Sequence, residues 1–159
     1  MNANQYPITP DGLKKIKEDL RQLKTVDRVN ISKEIGAAIE MGDLSENFEY
    51  HSAKDRQGMI EAKIRNLEGI ISQANVINPA KLSGDKVMFG ATVTLVDVDT
   101  DEEKCYMIVG EAEADIEVGR ISVTSPLARA IINKEIGDEI TIPSRFGKKS
   151  VEIAEVEYK

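Results

Sequence analysis

Asp43, Glu46 and Glu49 fall in the stretch MGDLSENFEY (41–50), beside Gly42 and with no Lys or Arg among them. Carboxylates gathered this way suit two kinds of work. As hard oxygen donors they can share a divalent cation such as Mg²⁺ or steer a water towards a phosphate. They can also serve the chain itself, because Asp at a helix N-cap with Glu three residues later is a capping-box arrangement. On a helical turn, a spacing of three would put Asp43 and Glu46 on one side. Glu49 reads as a solvated helix position. His51 is the sole histidine, and one imidazole makes no metal site, so it reads as a helix-surface residue.

The elements on either side say where these acids stand. Residues 11–41 contain no proline and follow Thr9-Pro10, an N-cap followed by proline at the first helical position. Leu13, Ile16, Leu20 and Leu23 keep the 3-4-3 spacing of a coiled-coil seam. A second helical stretch, about 45–75, carries Ile60, Ile64, Leu67, Ile71 and Ala74 at 4-3-4-3. Laid antiparallel, Leu13 meets Ala74, Ile16 meets Ile71, Leu20 meets Leu67 and Leu23 meets Ile64. These pairs are symmetric about a point between Asp43 and Leu44, and the charge pairs Lys17–Glu68 and Lys24–Glu61 nearly agree with it. The expectation is a helical hairpin with an acidic tip at about 41–50 and arms about 45 Å long at about 1.5 Å per residue. Val26, Val29, Ile31 and Ile35 break the heptad, so a stutter or local unwinding is expected there.

Pro79 and Gly84 end the helical pattern. Beyond them KVMFGATVTLVDV, KCYMIVG, ISVTS, DEITIP and SVEIAEVE read as short strands. Ser125-Pro126 opens one short helix, PLARAIINK, with Gly137 as its stop. The fold class is α+β: residues 1–78 form the coiled-coil hairpin, and 79–159 form a compact antiparallel sheet domain with a short helix. Cys105, alone in the chain, reads as a small core residue, and its solitude fits a reducing cytoplasm. No apolar run approaches the roughly 20 residues a membrane span requires. The opening MNANQYPITP lacks the features of a secretory signal. A cytoplasmic protein with no membrane partner is expected.

Charge narrows the partners further. The net charge is −7, divided between 11 Lys/Arg against 12 Asp/Glu in residues 1–78 and 10 against 16 in residues 79–159. Phosphate binding needs clustered cations, so no stable independent nucleic-acid site is expected. Lys14, Lys17, Arg21, Lys24 and Arg28 form a stripe beside the seam, which reads first as a charged flank pairing with Glu61 and Glu68.

GDLSENFEYHSAK, GDKVMFGATVTL, IVGEAEADI, ISVTSPLARAIINKEIGDEI and EIAEVEY, taken in order, closely resemble the GreA/GreB family of bacterial transcript cleavage factors. The resemblance covers essentially the whole chain. It implies an N-terminal antiparallel coiled coil and a C-terminal FKBP-like domain that binds bacterial RNA polymerase at the rim of its secondary channel. The coiled coil then enters the channel and stimulates the polymerase's intrinsic cleavage of backtracked nascent RNA. The family's functional acid pair falls on Asp43 and Glu46, which would assist Mg²⁺ and water held in the polymerase active centre. The chain would keep no metal or cofactor of its own and would be no nuclease alone.

The resemblance also sorts the neighbours of that pair. Asn47 and Tyr50 would shape the tip or touch the polymerase, and Lys54 and Arg56 would touch the extruded RNA. Asp115, Ser125 and Pro126 would meet the polymerase rim, although Ser125-Pro126 also starts a helix and Asp115 also suits a turn. Ile39 stands where the family usually has Arg, so the basic patch is smaller than in the family. A channel-binding inhibitor of the same fold is the alternative. A prolyl isomerase is disfavoured, because residues 79–159 offer only Phe89, Tyr106, Phe146 and Tyr158 as aromatics.

Overall fold

The computed structural model describes residues 5–144 and 147–159; Phe146 lies outside the described residues. The chain divides into two compact units. One is Leu13–Ala74; the other joins the chain's beginning through Gly12 to Asn75–Lys159. Thus the residues before Leu13 group with the second half instead of with the hairpin. Strand β1 (Tyr6–Ile8) pairs with β2 (Ala74–Val76), and the Ile77 N–H donates to the Ile8 carbonyl at 2.8 Å. Thr9 is buried, and its hydroxyl caps the first helical turn by accepting from the Gly12 N–H at 3.1 Å. The Glu113 carboxylate accepts from the Thr9 hydroxyl, the Thr9 N–H and the Gly110 N–H.

The Leu13–Ala74 unit is a helical hairpin. Its first arm comprises α1 (Pro10–Gln22, whose first turn belongs to the other unit), a π-helical turn (Leu23–Asp27) and α2 (Arg28–Glu40); α3 (Phe48–Gln73) returns. At about 1.5 Å per residue, α3 spans about 39 Å. The local unwinding expected from the sequence begins a few residues early, and its cause is countable. Ile16 to Leu23 is one heptad and Ile31 to Ala38 another, but Leu23 to Ile31 is eight positions. A π turn absorbs one surplus residue, so Ile16, Ile31 and Ala38 are all buried. The Thr25 hydroxyl donates to the Arg21 carbonyl at 2.8 Å and helps satisfy the backbone loosened there.

Three ion pairs cross the hairpin and set its register. They join Lys24 to Glu68 at 2.6 Å, Arg28 to Glu61 at 2.9 Å and Glu34 to Arg56 at 2.6 Å. The pairs expected from sequence, Lys17–Glu68 and Lys24–Glu61, are therefore displaced along the first arm: Glu68 takes Lys24, two turns on, and Glu61 takes Arg28, one turn on. A heptad seam repeats itself, so such a slip keeps apolar residues opposed. The turn limits which registers are open, because α3 starts only at Phe48. Arg28 meets Glu61 in a two-point contact that holds the Glu61 carboxyl below its ordinary range.

The second unit is a five-stranded sheet in the order β5-β4-β3-β7-β6, built from β3 (Thr92–Asp97), β4 (Glu103–Val109), β5 (Arg120–Ser122), β6 (Glu139–Ser144) and β7 (Gly147–Glu157). The expected antiparallel sheet carries one exception: β5 runs parallel to β4. Helix α4 (Pro126–Ile131) covers one face and buries Ala128 and Ile131 with Val93, Ile108, Ile140 and Ile153. It stops earlier than Gly137: Ile132 has already left the helical region (φ −59°, ψ 138°), and Asn133 follows in a left-handed conformation (φ 70°). Between β3 and β7 the register steps from Thr94–Glu155 to Leu95–Ile153. Ala154 is the extra residue of a bulge, which lets both Ile153 and Val156 face the core. Cys105 departs from expectation: Tyr106 and Ile108 take the inward alternation of β4, leaving the thiol exposed.

Two outcomes follow. Replacing Ile153 by Ala should cost about 2–5 kcal/mol in the urea unfolding of the sheet unit, as for other fully buried aliphatics. Deleting Thr25 should join the two heptads into one unbroken α-helix with a thermal midpoint no lower than the parent's. A drop of several degrees would show that Leu23 and Ile31 do not belong to one seam.

Candidate functional site

The hairpin turns over in seven residues, 41–47, between α2 and α3. Helix α2 ends with the Met41 and Gly42 N–H groups donating to Ala38 and Ile39 at 3.1 Å, and Gly42 is left-handed (φ 77°). Asp43 is left-handed as well (φ 46°), a conformation Asp tolerates better than most side chains. Its carbonyl accepts from the Glu46 N–H at 3.2 Å, closing a tight turn. Asp43 and Glu46 therefore lie in the turn itself and not on a helix.

The cap of α3 is Asn47, not Asp43. The Asn47 Oδ1 accepts from the Tyr50 N–H at 3.0 Å. Its Nδ2 reaches back to the carbonyls of Ala38 at 2.7 Å and Gly42 at 3.4 Å. One amide thus satisfies the start of α3 and the end of α2 together. The capping reading of Asp43 and Glu46 fails here, because another residue does that work. Both acids are exposed, and among the described residues neither takes part in an ion pair. Glu49 is exposed in the first turn of α3.

Three neighbours matter that the acid spacing did not indicate. The Ser45 hydroxyl donates to Asp43 Oδ1 at 3.1 Å. His51 Nε2 lies 3.3 Å from the Ser45 carbonyl, and its ring meets Tyr50 edge-on with centroids 5.4 Å apart. Phe48, the first residue of α3, is 82% exposed. A hydroxyl two residues from an Asp is a legible turn signal; the exposure of Phe48 has no such signal in the sequence.

The remaining candidates are spread over both units. Lys54 Nζ donates to Gln57 at 3.1 Å, and Arg56 is held by Glu34, so a phosphate meeting Arg56 must compete with a carboxylate. Exposed Ile39 adds no charge beside them. In the sheet unit Ser125 caps α4 by accepting from Ala128 at 3.2 Å, with Pro126 following. The Asp115 side chain accepts from Glu117 at 3.2 Å, while its backbone exchanges two hydrogen bonds with Arg120. Both therefore have local structural work.

The turn between paired helices and the mixed sheet are matched by two family descriptions. One, transcription elongation factor, N-terminal, covers residues 6–76; the other, transcription elongation factor GreA/GreB, C-terminal, covers residues 82–158. The chain belongs to the GreA/GreB family of transcription elongation factors. Transcription elongation factor GreA of Jannaschia sp. (strain CCS1) is 57% identical over 154 residues, covering 97% of this chain and 98% of the relative. GreA of Ruegeria pomeroyi is 53% identical with the same coverage. A solved GreA/GreB factor from Nitrosomonas europaea aligns at 20% identity with a TM-score of 0.45, covering 97% of this chain and 100% of that one.

The double use of Asn47 sets an outcome for the tip of this family member. Asn47→Ala should cost about 1 kcal/mol at the start of α3, read as faster amide exchange at Tyr50. Asn47→Asp keeps the acceptor and loses the donor, so it should restore protection at Tyr50 alone.

Proposed function

We propose that this chain binds a bacterial RNA polymerase, enters its secondary channel with the hairpin, and stimulates the polymerase's own Mg²⁺-dependent cleavage of backtracked RNA. The observation that carries this reading is an exposed turn presenting Asp43 and Glu46 while Asn47 does the capping they would otherwise supply. The sheet unit would hold the polymerase rim, with Asp115, Ser125 and Pro126 as its contacts. This is the family's reading carried to the residues that match its motif.

Two carboxylates suit Mg²⁺, which takes oxygen ligands and keeps several waters. Among the described residues no group of three or more ligating side chains gathers. On this reading the ion is shared with the polymerase, with Asp43 as its ligand from this chain. Such an ion, once bound, activates a water and offsets charge on the phosphodiester. Glu46 would accept a hydrogen bond from that water and orient it. Asn47 would keep both acids at the apex, and Lys54 and Arg56, about two turns along α3, would meet the RNA backbone, Arg56 in competition with Glu34. Delivery on paired helices avoids ordering a long loop on entry, which costs roughly 1–2 kcal/mol per residue.

Stalled, backtracked elongation complexes supply the test. Adding the chain with Mg²⁺ should release short RNAs from the 3′ end. Asp43→Asn should abolish release and leave polymerase binding intact. Binding and slowed elongation without release would favour the inhibitor of the same fold, and loss of binding in Asp43→Asn would make that residue a docking contact.

A further inference from the structure

An acid that shares a metal must present a fixed oxygen, yet Asp43 sits on an exposed turn where its side chain could rotate. The turn carries a device against this. The Ser45 hydroxyl donates to Asp43 Oδ1 at 3.1 Å, and the Asp43 carbonyl is itself tied to the Glu46 N–H at 3.2 Å. On the other side, His51 Nε2 stands 3.3 Å from the Ser45 carbonyl, where an imidazole N–H donates. His51 in turn is fixed to the first turn of α3: its backbone N–H donates to the Asn47 carbonyl at 3.1 Å, and its ring rests against Tyr50. A chain of contacts thus runs from α3 through His51 and Ser45 to one oxygen of Asp43.

We propose that Ser45 is a positioning residue: its hydroxyl occupies Oδ1 of Asp43, holds the carboxylate in one rotamer and turns Oδ2 outward for a metal, while His51 braces the Ser45 backbone. The proposal rests on the reading of Asp43 as the acid that shares the polymerase's ion. Ser45 itself never touches that ion. Its effect is to remove rotamers that Asp43 would otherwise lose on binding. A charge-assisted hydrogen bond of this kind restrains a carboxylate more than a neutral one does. Threonine can make the same bond, whereas alanine cannot.

Ser45→Ala and Ser45→Thr are compared in the cleavage assay over a Mg²⁺ titration. Ser45→Ala should raise the Mg²⁺ needed for half-maximal stimulation about fivefold, the size expected for one exposed hydrogen bond. Polymerase affinity should stay unchanged, and Ser45→Thr should behave as the parent. An unchanged Mg²⁺ requirement in Ser45→Ala, or equal loss in both variants, overturns the proposal. If the parent chain itself stimulates no cleavage, the functional reading fails separately, and the positioning is then judged on the free chain. Three-bond side-chain couplings at Asp43 should report one rotamer in the parent and in Ser45→Thr and averaging in Ser45→Ala. Averaging already present in the parent overturns it.

Discussion

Two helices that turn back on each other leave unpaired carbonyls at the end of one and unpaired N–H groups at the start of the other. In this chain a single side chain serves both. Asn47 has an acceptor for Tyr50 and donors for Ala38 and Gly42, which no carboxylate could combine at neutral pH. Everything proposed for the tip depends on that division of labour. Because Asn47 closes the turn, Asp43 and Glu46 remain exposed, and Asp43 can adopt a left-handed backbone that a capping residue, held in the extended region, could not.

The arms beneath the turn follow from one surplus residue. Heptads that are each regular sit eight positions apart at Leu23 and Ile31, and the π turn reconciles them without ending the helix. The ion pairs Lys24–Glu68, Arg28–Glu61 and Glu34–Arg56 then choose one register from those the apolar seam would accept. They are exposed and individually weak. Their role is better described as selecting register than as holding the hairpin together. The same pairing occupies Lys24 and Arg28, so part of the basic stripe is already neutralised within the hairpin, and it occupies Arg56 on the other arm as well.

In the sheet unit the core and the candidate contacts are built from the same short connections. Helix α4 exists because Ser125 caps it and Pro126 starts it, and it brings Ala128 and Ile131 onto the sheet. Asp115 orders the turn that returns the chain to the parallel strand β5. Residues singled out by family resemblance are thus also residues whose loss would disturb the local backbone.

Periodicity in the sequence was enough for two paired helices, for the acidic turn between them and for the strands of a second unit, since repeats of about 3.5 and 2 report which face is buried. The resemblance to a family rested on motifs spread along the whole chain and survived comparison with its relatives. Other features are decided between distant residues, and no local pattern records them. Cys105 lies outside the core because Tyr106 and Ile108 claim the inward face of β4. The strand before Thr9 joins the second unit because β2 and Glu113 lie there. Ala154 bulges so that Val156 can reach the core. At the tip, acids spaced like a capping box do not cap because Asn47 takes the Tyr50 N–H, while the bond from its amide to Ala38, nine residues back, exists only once the helices are paired.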